Sequence, residues 1–156
     1  MAEETAVVME EKTPEKTKKA PKAAKPKAPV QSSGKRKRAV ARAILTPGKG
    51  IIRINNHLLS TLTPQLAQDR IKEPLLLAED VAKTVDISVA VRGGGWQGQT
   101  EAVRLAIGKA LAQFDKKLKK VFLSYDRHLI VADIRRREER KPNDSRARAT
   151  RQKSYR

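Results

Sequence analysis

The sequence predicts an α+β fold with two layers: a four-stranded sheet that carries helices on one face and is flanked by long basic termini. Three observations predict this class. Residues 85–92 alternate between apolar and polar side chains, which is typical of a strand with one buried face. An apolar stripe with helical spacing extends from Val103 to Phe122, and turn-forming residues separate the elements. The predicted order ββαβαβ places one sheet under helices in a domain that spans residues 34–134.

The composition of the first 33 residues predicts a flexible N-terminal extension. Acidic residues come first, and a segment composed mainly of Lys, Ala and Pro follows. Prolines at positions 14, 21, 26 and 29 lack an amide donor and prevent a continuous helix. Ser32-Ser33-Gly34 is predicted to be the hinge that connects this extension to the domain.

A hairpin is predicted to open the domain. In its first strand, Val40 and Arg42 are expected to point to one side, and the alanines that follow each of them to the other. Residues 46–50 contain Pro and Gly in a pattern that favours a turn. Residues 51–54 therefore return as the second strand of the hairpin.

Helices and two further strands complete the predicted order. Thr63 is predicted to cap a helical region, and Pro74 either kinks the helix of residues 64–81 or divides it in two. Strand 85–92 is followed by a glycine loop and then by one long helix. Residues 129–134 are predicted to form the last strand, which leads directly into the C-terminal tail.

The net charge of +18 is concentrated at the two ends of the chain. Residues 1–38 hold 11 basic and 5 acidic residues, residues 39–133 hold 14 and 9, and residues 134–156 hold 10 and 3. Charge placed on terminal segments is typical of proteins that bind nucleic acid. A membrane surface is the weaker alternative, since neither end has the apolar face of an interfacial helix. The chain has no cysteine and no segment like a signal peptide or transmembrane helix, so we expect a cytoplasmic location.

The composition of residues 135–156 predicts an extended basic tail. After Ile134 its apolar side chains are two alanines and one tyrosine, among ten Lys or Arg residues. Such a segment cannot bury enough surface to offset the entropy of ordering it alone. Fully extended, the tail reaches roughly 75 Å, which suits a path along a polyanion. The alternative is a solvated tail that keeps the protein soluble.

The most specific motif is the glycine loop, residues 93–99. Gly93, Gly95 and Gly98 satisfy the pattern G-x-G-x-x-G between a strand and a helix, the context of a dinucleotide-binding loop. The acidic residue expected about 20 positions later is absent, because a lysine cluster occupies the region around position 118. Three interpretations stay open: the loop binds a phosphate of RNA or DNA, it is a tight turn without a ligand, or it binds a free nucleotide.

A second motif is a basic block with two further arginines on the predicted hairpin: Lys35, Arg36, Lys37, Arg38, Arg42 and Arg53. Clustered cations neutralise phosphates and release counterions, which favours direct phosphate contact. A solvated strand entrance and a nuclear-import signal are the alternatives.

The sequence gives no support for catalysis. His57 and His128 stand alone, and no carboxylate pair or nucleophile–base spacing surrounds either of them. We therefore expect no enzymatic activity, no metal, no cofactor and no small-molecule substrate. Trp96 in the glycine loop either stacks on a base or packs over the hairpin.

Over residues 34–156, these motifs together resemble the family of small-subunit ribosomal protein number nine. The resemblance rests on four segments in the domain: Gly34-Lys35-Arg36-Lys37-Arg38-Ala39-Val40-Ala41, Lys72-Glu73-Pro74-Leu75, residues 91–99, and Ala102-Val103-Arg104. The ending Gln152-Lys153-Ser154-Tyr155-Arg156 resembles the archaeal and eukaryotic branch. Residues 1–33 depart from the family, so nothing carries over to them.

The resemblance implies a fold like the second domain of the fifth small-subunit ribosomal protein, with a left-handed βαβ crossover. It also implies a structural constituent of the small ribosomal subunit that binds rRNA of the head beside neighbouring head proteins. The implied rRNA contacts are Lys35, Arg36, Lys37, Arg38, Arg42, Arg53, Gly93, Gly94, Gly95, Gln97, Gln99, Arg135, Arg136, Arg137, Arg140, Arg146 and Arg148.

The end of the tail is implied to contact the anticodon stem-loop of peptidyl-site tRNA. The residues assigned to this contact are Arg151, Lys153, Ser154, Tyr155 and Arg156. Arg156 is expected to meet the tRNA phosphates, and Arg151 and Lys153 also line the rRNA path.

A rival hypothesis from another class is a chromatin or DNA-compacting protein, because the Lys/Ala/Pro extension resembles that of a linker histone. This hypothesis gives no role to the glycine loop or to the C-terminal tail. A third hypothesis, an RNA-processing enzyme with a related fold, lacks the titratable groups that such chemistry needs.

Overall fold

The computed structural model of the chain describes residues 28–135, 137–142 and 146–148. These residues form a five-stranded sheet with helices on one face, which confirms the predicted α+β class, although the sheet has five strands where four were predicted. The strands are β1 (Val30–Arg36), β2 (Ala39–Pro47), β3 (Ile52–Ile54), β4 (His57–Leu58) and β5 (Val85–Arg92). The helices are α1 (Gln65–Leu76), α2 (Glu79–Ala82), α3 (Trp96–Phe114) and α4 (Leu118–Tyr125), with 3-10 turns at Leu59–Thr61 and Arg127–Leu129.

The strand order β1-β2-β5-β3-β4 shows that the predicted hairpin is wrong. β2 pairs antiparallel with β1 and β5, whereas β3 pairs parallel with β5 and antiparallel with β4. The connection after β2 is bound to β5, because Oδ1 of Asp86 accepts hydrogen bonds from the amides of Lys49 (2.8 Å) and Ile51 (2.9 Å). β5 therefore separates β2 from β3, and α1 and α2 form the crossover between β3 and β5. The left-handed sense of this crossover stays a prediction.

β1 occupies the segment that was predicted to be a hinge, so that prediction is wrong. Ser32 and Gly34 allow β1 to lie in close contact with α3, and they do not form a flexible hinge. The hydroxyl of Ser32 donates to the carbonyl oxygen of Ala106 at 2.5 Å, and a Cβ on Gly34 would overlap the carbonyl oxygen of Ala102. The folded part thus begins at Val30, before the predicted boundary at Gly34.

The prediction that residues 129–134 form the last strand is also wrong. The chain makes a 3-10 turn at Arg127–Leu129 and continues without regular structure to residue 135. Leu129 is fully buried, and its carbonyl oxygen lies against Gly108 of α3. This apolar segment therefore anchors the chain on the helical layer instead of extending the sheet.

The helices differ from the prediction at three points. Thr63 is not the cap of α1, because the N-cap residue is Pro64 and no side chain of the described residues caps this helix. α1 continues through Pro74, which is fully buried near the C-terminal end of the helix, and α2 is separate. The long apolar stripe spans two helices, because the chain turns at Asp115, whose Oδ1 accepts a hydrogen bond from the amide of Lys117 (2.9 Å).

The core lies between the helices and the inner face of the sheet. Alternate residues of β2 and β5 are buried there, while Val40 and Arg42 are exposed on the outer face, which confirms that these two residues point to the same side. The inner face of β2 carries three alanines, which let α3 approach closely. The outer face has no helix packed on it among the described elements.

We expect Gly34→Ala to lower the free energy of unfolding by about 2–4 kcal/mol, because the new Cβ overlaps the backbone of α3. Gly95→Ala is the matched control, since no atom of the described part of the chain lies within 4 Å of a Cβ at that position. Urea unfolding followed by circular dichroism measures both variants. Equal stability of the two would contradict the close contact between β1 and α3.

Candidate nucleic-acid interface

The glycine loop and the basic block lie against each other at one end of the sheet. β1 and β2 are joined by the turn Lys37–Arg38, in which Lys37 has a φ of +52°. Gly93 and Gly94 have φ values of +76° and +71°, and a Cβ on Gly93 would lie 2.8 Å from the carbonyl oxygen of Arg38. Glycine is therefore required at position 93 both by its backbone conformation and by this contact. The contact brings the basic turn to the N-terminus of α3.

Helix α3 begins inside the predicted glycine loop, at Trp96, so the last four residues of that loop form an uncapped first turn of the helix. Gly95 is the N-cap residue in an extended conformation, and among the described residues no side chain accepts a hydrogen bond from the first amides. These amides lack intrahelical acceptors and, with the helix dipole, favour an anion. Gln97 is exposed on this turn, whereas Nε2 of Gln99 donates to the carbonyl oxygen of Gly93 at 3.2 Å. Gln99 therefore braces the loop, a structural contact that the sequence did not reveal.

A cavity of about 670 Å³ opens between the start of α3, the β1–β2 turn and the root of the tail. Its basic side chains come from β1, the turn, α1, α3 and the tail: Lys35, Arg36, Lys37, Arg38, Arg70, Arg104 and Arg135. Three acidic side chains also line it: Glu101, Asp126 and Asp133. Positive charge therefore exceeds negative charge around the cavity, which suits a polyanion.

Asp133 connects the root of the tail to the end of β1. Its side chain is 7% exposed and forms ion pairs with both Arg36 and Arg135. Arg135 donates to this carboxylate from its backbone amide (2.7 Å) and from Nε (3.1 Å). These pairs fix the place where the tail leaves the domain. The side chain of Arg135 is still 77% exposed, so it remains accessible to another partner.

Arg104 is the centre of a second, buried ion cluster. Its guanidinium pairs with Glu73 of α1 (2.5 Å) and with Asp126, which precedes the second 3-10 turn (2.8 Å). Glu101 lies further away, at 3.8 Å. Burial opposes the charge of Arg104, but its hydrogen bonds and ion pairs with Asp126 and Glu73 raise its pKa above the ordinary value. The cluster joins α1, α3 and the segment that leads to the tail.

The importance of Arg104 did not emerge from its charge pattern. The signal that could have identified it is its position on the apolar side of α3, between Val103 and Ile107, both of which are fully buried. A charged side chain at such a position is buried only when it is paired. Asp126 and Asp133 carry no comparable signal, because their partners are distant in sequence.

Arg42 and Arg53 lie on a different surface from the cavity. Both are exposed on the outer face of the sheet, where Arg42 is in register with Ala90 and Arg53 with Ser88. Neither of them lines the cavity. The residues predicted to bind rRNA are therefore divided between the outer sheet face and the cavity at the end of the sheet.

The described part of the tail is exposed at Arg137, Arg140, Arg146 and Arg148. Arg148 forms an ion pair with Glu138, ten residues earlier, and so brings two parts of the tail together. The remaining predicted contacts lie outside the described residues: Arg136, Arg151, Lys153, Ser154, Tyr155 and Arg156.

Within the described ranges, no group of three or more His, Asp or Glu side chains could hold a metal ion. His57 and His128 are both exposed, and His128 lines the cavity. Its backbone amide donates to Oδ1 of Asp126 at 2.8 Å, which caps the 3-10 turn. Across the same ranges, no helix has the length and apolar character to span a membrane.

These features define a small basic α+β protein whose cationic side chains gather at one end of a sheet and continue into a tail. The model of the family Ribosomal protein S9/S16 matches residues 34–156, and the chain belongs to this family. The family is one of structural proteins rather than enzymes, and the chain is therefore a structural constituent of the small ribosomal subunit, with rRNA and other ribosomal proteins as its partners. As a ribosomal protein it acts in the cytoplasm, within the ribosome.

Curated relatives with the name small ribosomal subunit protein uS9 agree with this assignment. The chain is 47% identical to that of Thermoplasma acidophilum over 127 residues and 47% identical to that of Methanococcus vannielii over 131 residues. It is 48% identical to that of Desulfurococcus amylolyticus over 129 residues. The alignments cover 80%, 81% and 81% of this chain and 98%, 98% and 92% of the relatives.

We expect Arg104→Met to lower the free energy of unfolding by about 3–5 kcal/mol, because Glu73 and Asp126 then lose their buried partner. The control is Arg70→Met, which removes the exposed partner of Glu73 and should cost less than about 1 kcal/mol. Denaturant unfolding of both variants measures the difference. Similar losses would show that the buried cluster does not hold the helices together.

The pKa of Asp126 predicts how stability changes in acid. Burial raises this pKa, but the amide of His128 and the guanidinium of Arg104 together hold it below its ordinary value of 3.8. The stabilisation is therefore complete above the unfolded pKa and is lost as the pH falls through the lower folded pKa. At neutral pH, the Asp126→Asn variant should have a lower melting temperature than the wild type. The difference between the two melting temperatures should shrink as the pH falls through that pKa. Thermal melts that differ by a constant amount at every pH would refute this assignment.

Proposed function

We propose that the domain binds rRNA of the head of the small subunit through two surfaces, beside neighbouring head proteins, and that the tail reaches peptidyl-site tRNA. The observation that carries this proposal is the meeting of the basic block, the glycine loop and the tail root around one cavity. Clustered Lys and Arg side chains neutralise phosphates and fix orientation without reading sequence. In this proposal the functional parts are an N-terminal extension, the rRNA-binding domain and the tail from residue 135.

The two surfaces suit RNA in different ways. At the end of the sheet, the first amides of α3 and the side chains of Lys35–Arg38 can hold phosphates together. On the outer face, Arg42 lies opposite Ala90 and Arg53 lies opposite Ser88, both small residues of β5. Small side chains allow an RNA backbone to approach the sheet closely while the two guanidinium groups contact its phosphates. Contacts on two sides would fix the orientation of the domain.

The tail continues the positive charge of the cavity. It starts at the clamp of Asp133 with Arg36 and Arg135, so its first residues are already positioned when RNA binds. The cost of ordering the rest is offset by successive phosphate contacts of the exposed arginines. In this proposal Arg151, Lys153, Ser154, Tyr155 and Arg156 meet the anticodon stem-loop. The guanidinium of Arg156 is a planar fork that grips phosphate in a bidentate way.

We expect deletion of residues 154–156 to leave assembly of the small subunit nearly intact and to weaken binding of peptidyl-site tRNA about tenfold or more. Arg156→Lys is the matched control, since it keeps the charge but loses the fork and should show a smaller loss. Sucrose-gradient sedimentation measures assembly, and retention of tRNA on subunits at low magnesium measures binding. Unchanged tRNA retention by the truncated subunits would overturn the role of the tail.

A further inference from the structure

We propose that the cavity at the start of α3 receives one unpaired nucleotide of RNA, with its phosphate at the rim and its base against Trp96. The site presupposes the proposed rRNA binding and specifies which feature of the RNA the domain recognises. The cavity volume of about 670 Å³ is in the range of pockets that enclose small organic ligands, so a nucleotide fits within it.

Exposed cations form the rim of the cavity, and the floor holds the ion cluster of the buried Arg104. At the rim, Lys35, Lys37, Arg38 and Arg135 are exposed and lie near the uncapped first turn of α3. This arrangement places a phosphate at the rim, because side-chain cations and helix amides act there on the same anion.

The floor presents polar groups that are not fully used by the protein. Arg104 is 4% exposed there, and its Nε has no hydrogen-bond partner among the described residues. The carboxylate of Glu101 stands 3.8 Å from the guanidinium of Arg104, too far for a hydrogen bond, and thus keeps its capacity to accept one. A carboxylate accepts hydrogen bonds from the amino group of cytosine or adenine, which uracil lacks. The floor therefore favours an amino-bearing base over uracil.

Trp96 supplies a surface on which a base can stack. It is the first residue of α3, it lines the cavity, and it is 52% exposed. At this exposure the indole keeps surface that is accessible to a base. An indole beside a basic rim is the combination that binds unpaired bases, because stacking is added to phosphate contact.

The shape of the basic surface favours a nucleotide that is part of a polymer over a free one. Positive charge extends from the cavity to Arg137 and Arg140 of the tail, both exposed, beyond the reach of a single nucleotide. A base inside a duplex cannot enter the cavity, because its faces are covered by its neighbours. A bulged or otherwise extrahelical nucleotide presents its base and its phosphate to the cavity together.

Fluorescence of the full chain tests the site directly, because Trp96 is its only tryptophan. The protein is titrated at moderate salt with an RNA hairpin that has a single cytidine bulge, and with the same hairpin fully paired. We expect the bulged RNA to quench Trp96 and to bind about tenfold more tightly than the paired RNA. Equal quenching and equal affinity would overturn the nucleotide site while leaving rRNA binding intact. Failure of both RNAs to bind would instead overturn the proposed function of the domain.

Two substitutions and one competitor complete the test, with labelled RNA as the probe of affinity. Trp96→Ala should abolish the preference for the bulged RNA, whereas Trp96→Phe should retain most of it; an unchanged preference in Trp96→Ala would refute stacking. Glu101→Gln should reduce the preference for a cytidine bulge over a uridine bulge.

Cytidine monophosphate should quench Trp96 only at far higher concentration than the bulged RNA. Quenching at equal concentration would show that the site takes free nucleotides, contrary to this proposal.

Discussion

In the folded chain, the carbonyl oxygen of Arg38 lies so close to the backbone of Gly93 that no side chain fits between them. This contact follows from strand register, since Val40 of β2 is paired with Arg92 of β5. The turn that precedes β2 and the loop that follows β5 must therefore lie side by side at the same end of the sheet. A basic turn and a helix N-terminus that are more than 50 residues apart in sequence become one cationic surface. If β2 paired with β3 instead, as the sequence alone suggested, this surface would not exist.

The acidic residues near this surface serve the fold and thereby leave most of the positive charge available. Asp133 holds Arg36 and Arg135, and Asp126 pairs with the buried Arg104. A buried ion pair contributes little net stability compared with an apolar pair, but it specifies geometry strongly, because either partner alone is costly. The two clusters thus orient the helical layer and the tail root, whereas the exposed cations of the turn stay free to meet phosphate.

Sequence patterns were sufficient to identify an element when its signal lies in residues that are adjacent in the sequence. The alternation of residues 85–92 identified β5 with its observed bounds, and the glycines identified the loop before α3. They failed where burial depends on contacts distant in sequence. Ser32 and Gly34 have the composition of a hinge, yet they form part of a strand because only small residues fit under α3. Residues 129–134 have the composition of a strand, yet the chain packs Leu129 against Gly108 of α3.

The same limit applies to the candidate site. The basic block and the glycine loop were recognisable because their residue types cluster along the chain. That they lie side by side could not be predicted, because it depends on the order of the strands in the sheet. Arg104, Asp126 and Asp133 come from separate elements, and only tertiary structure brings them to the cavity. Because Arg135 lines this cavity, the tail begins at the place where the domain holds RNA in the proposed function. A polymer bound at the cavity therefore meets the tail at high local concentration, and each later phosphate contact along the tail costs less entropy than binding by a free peptide.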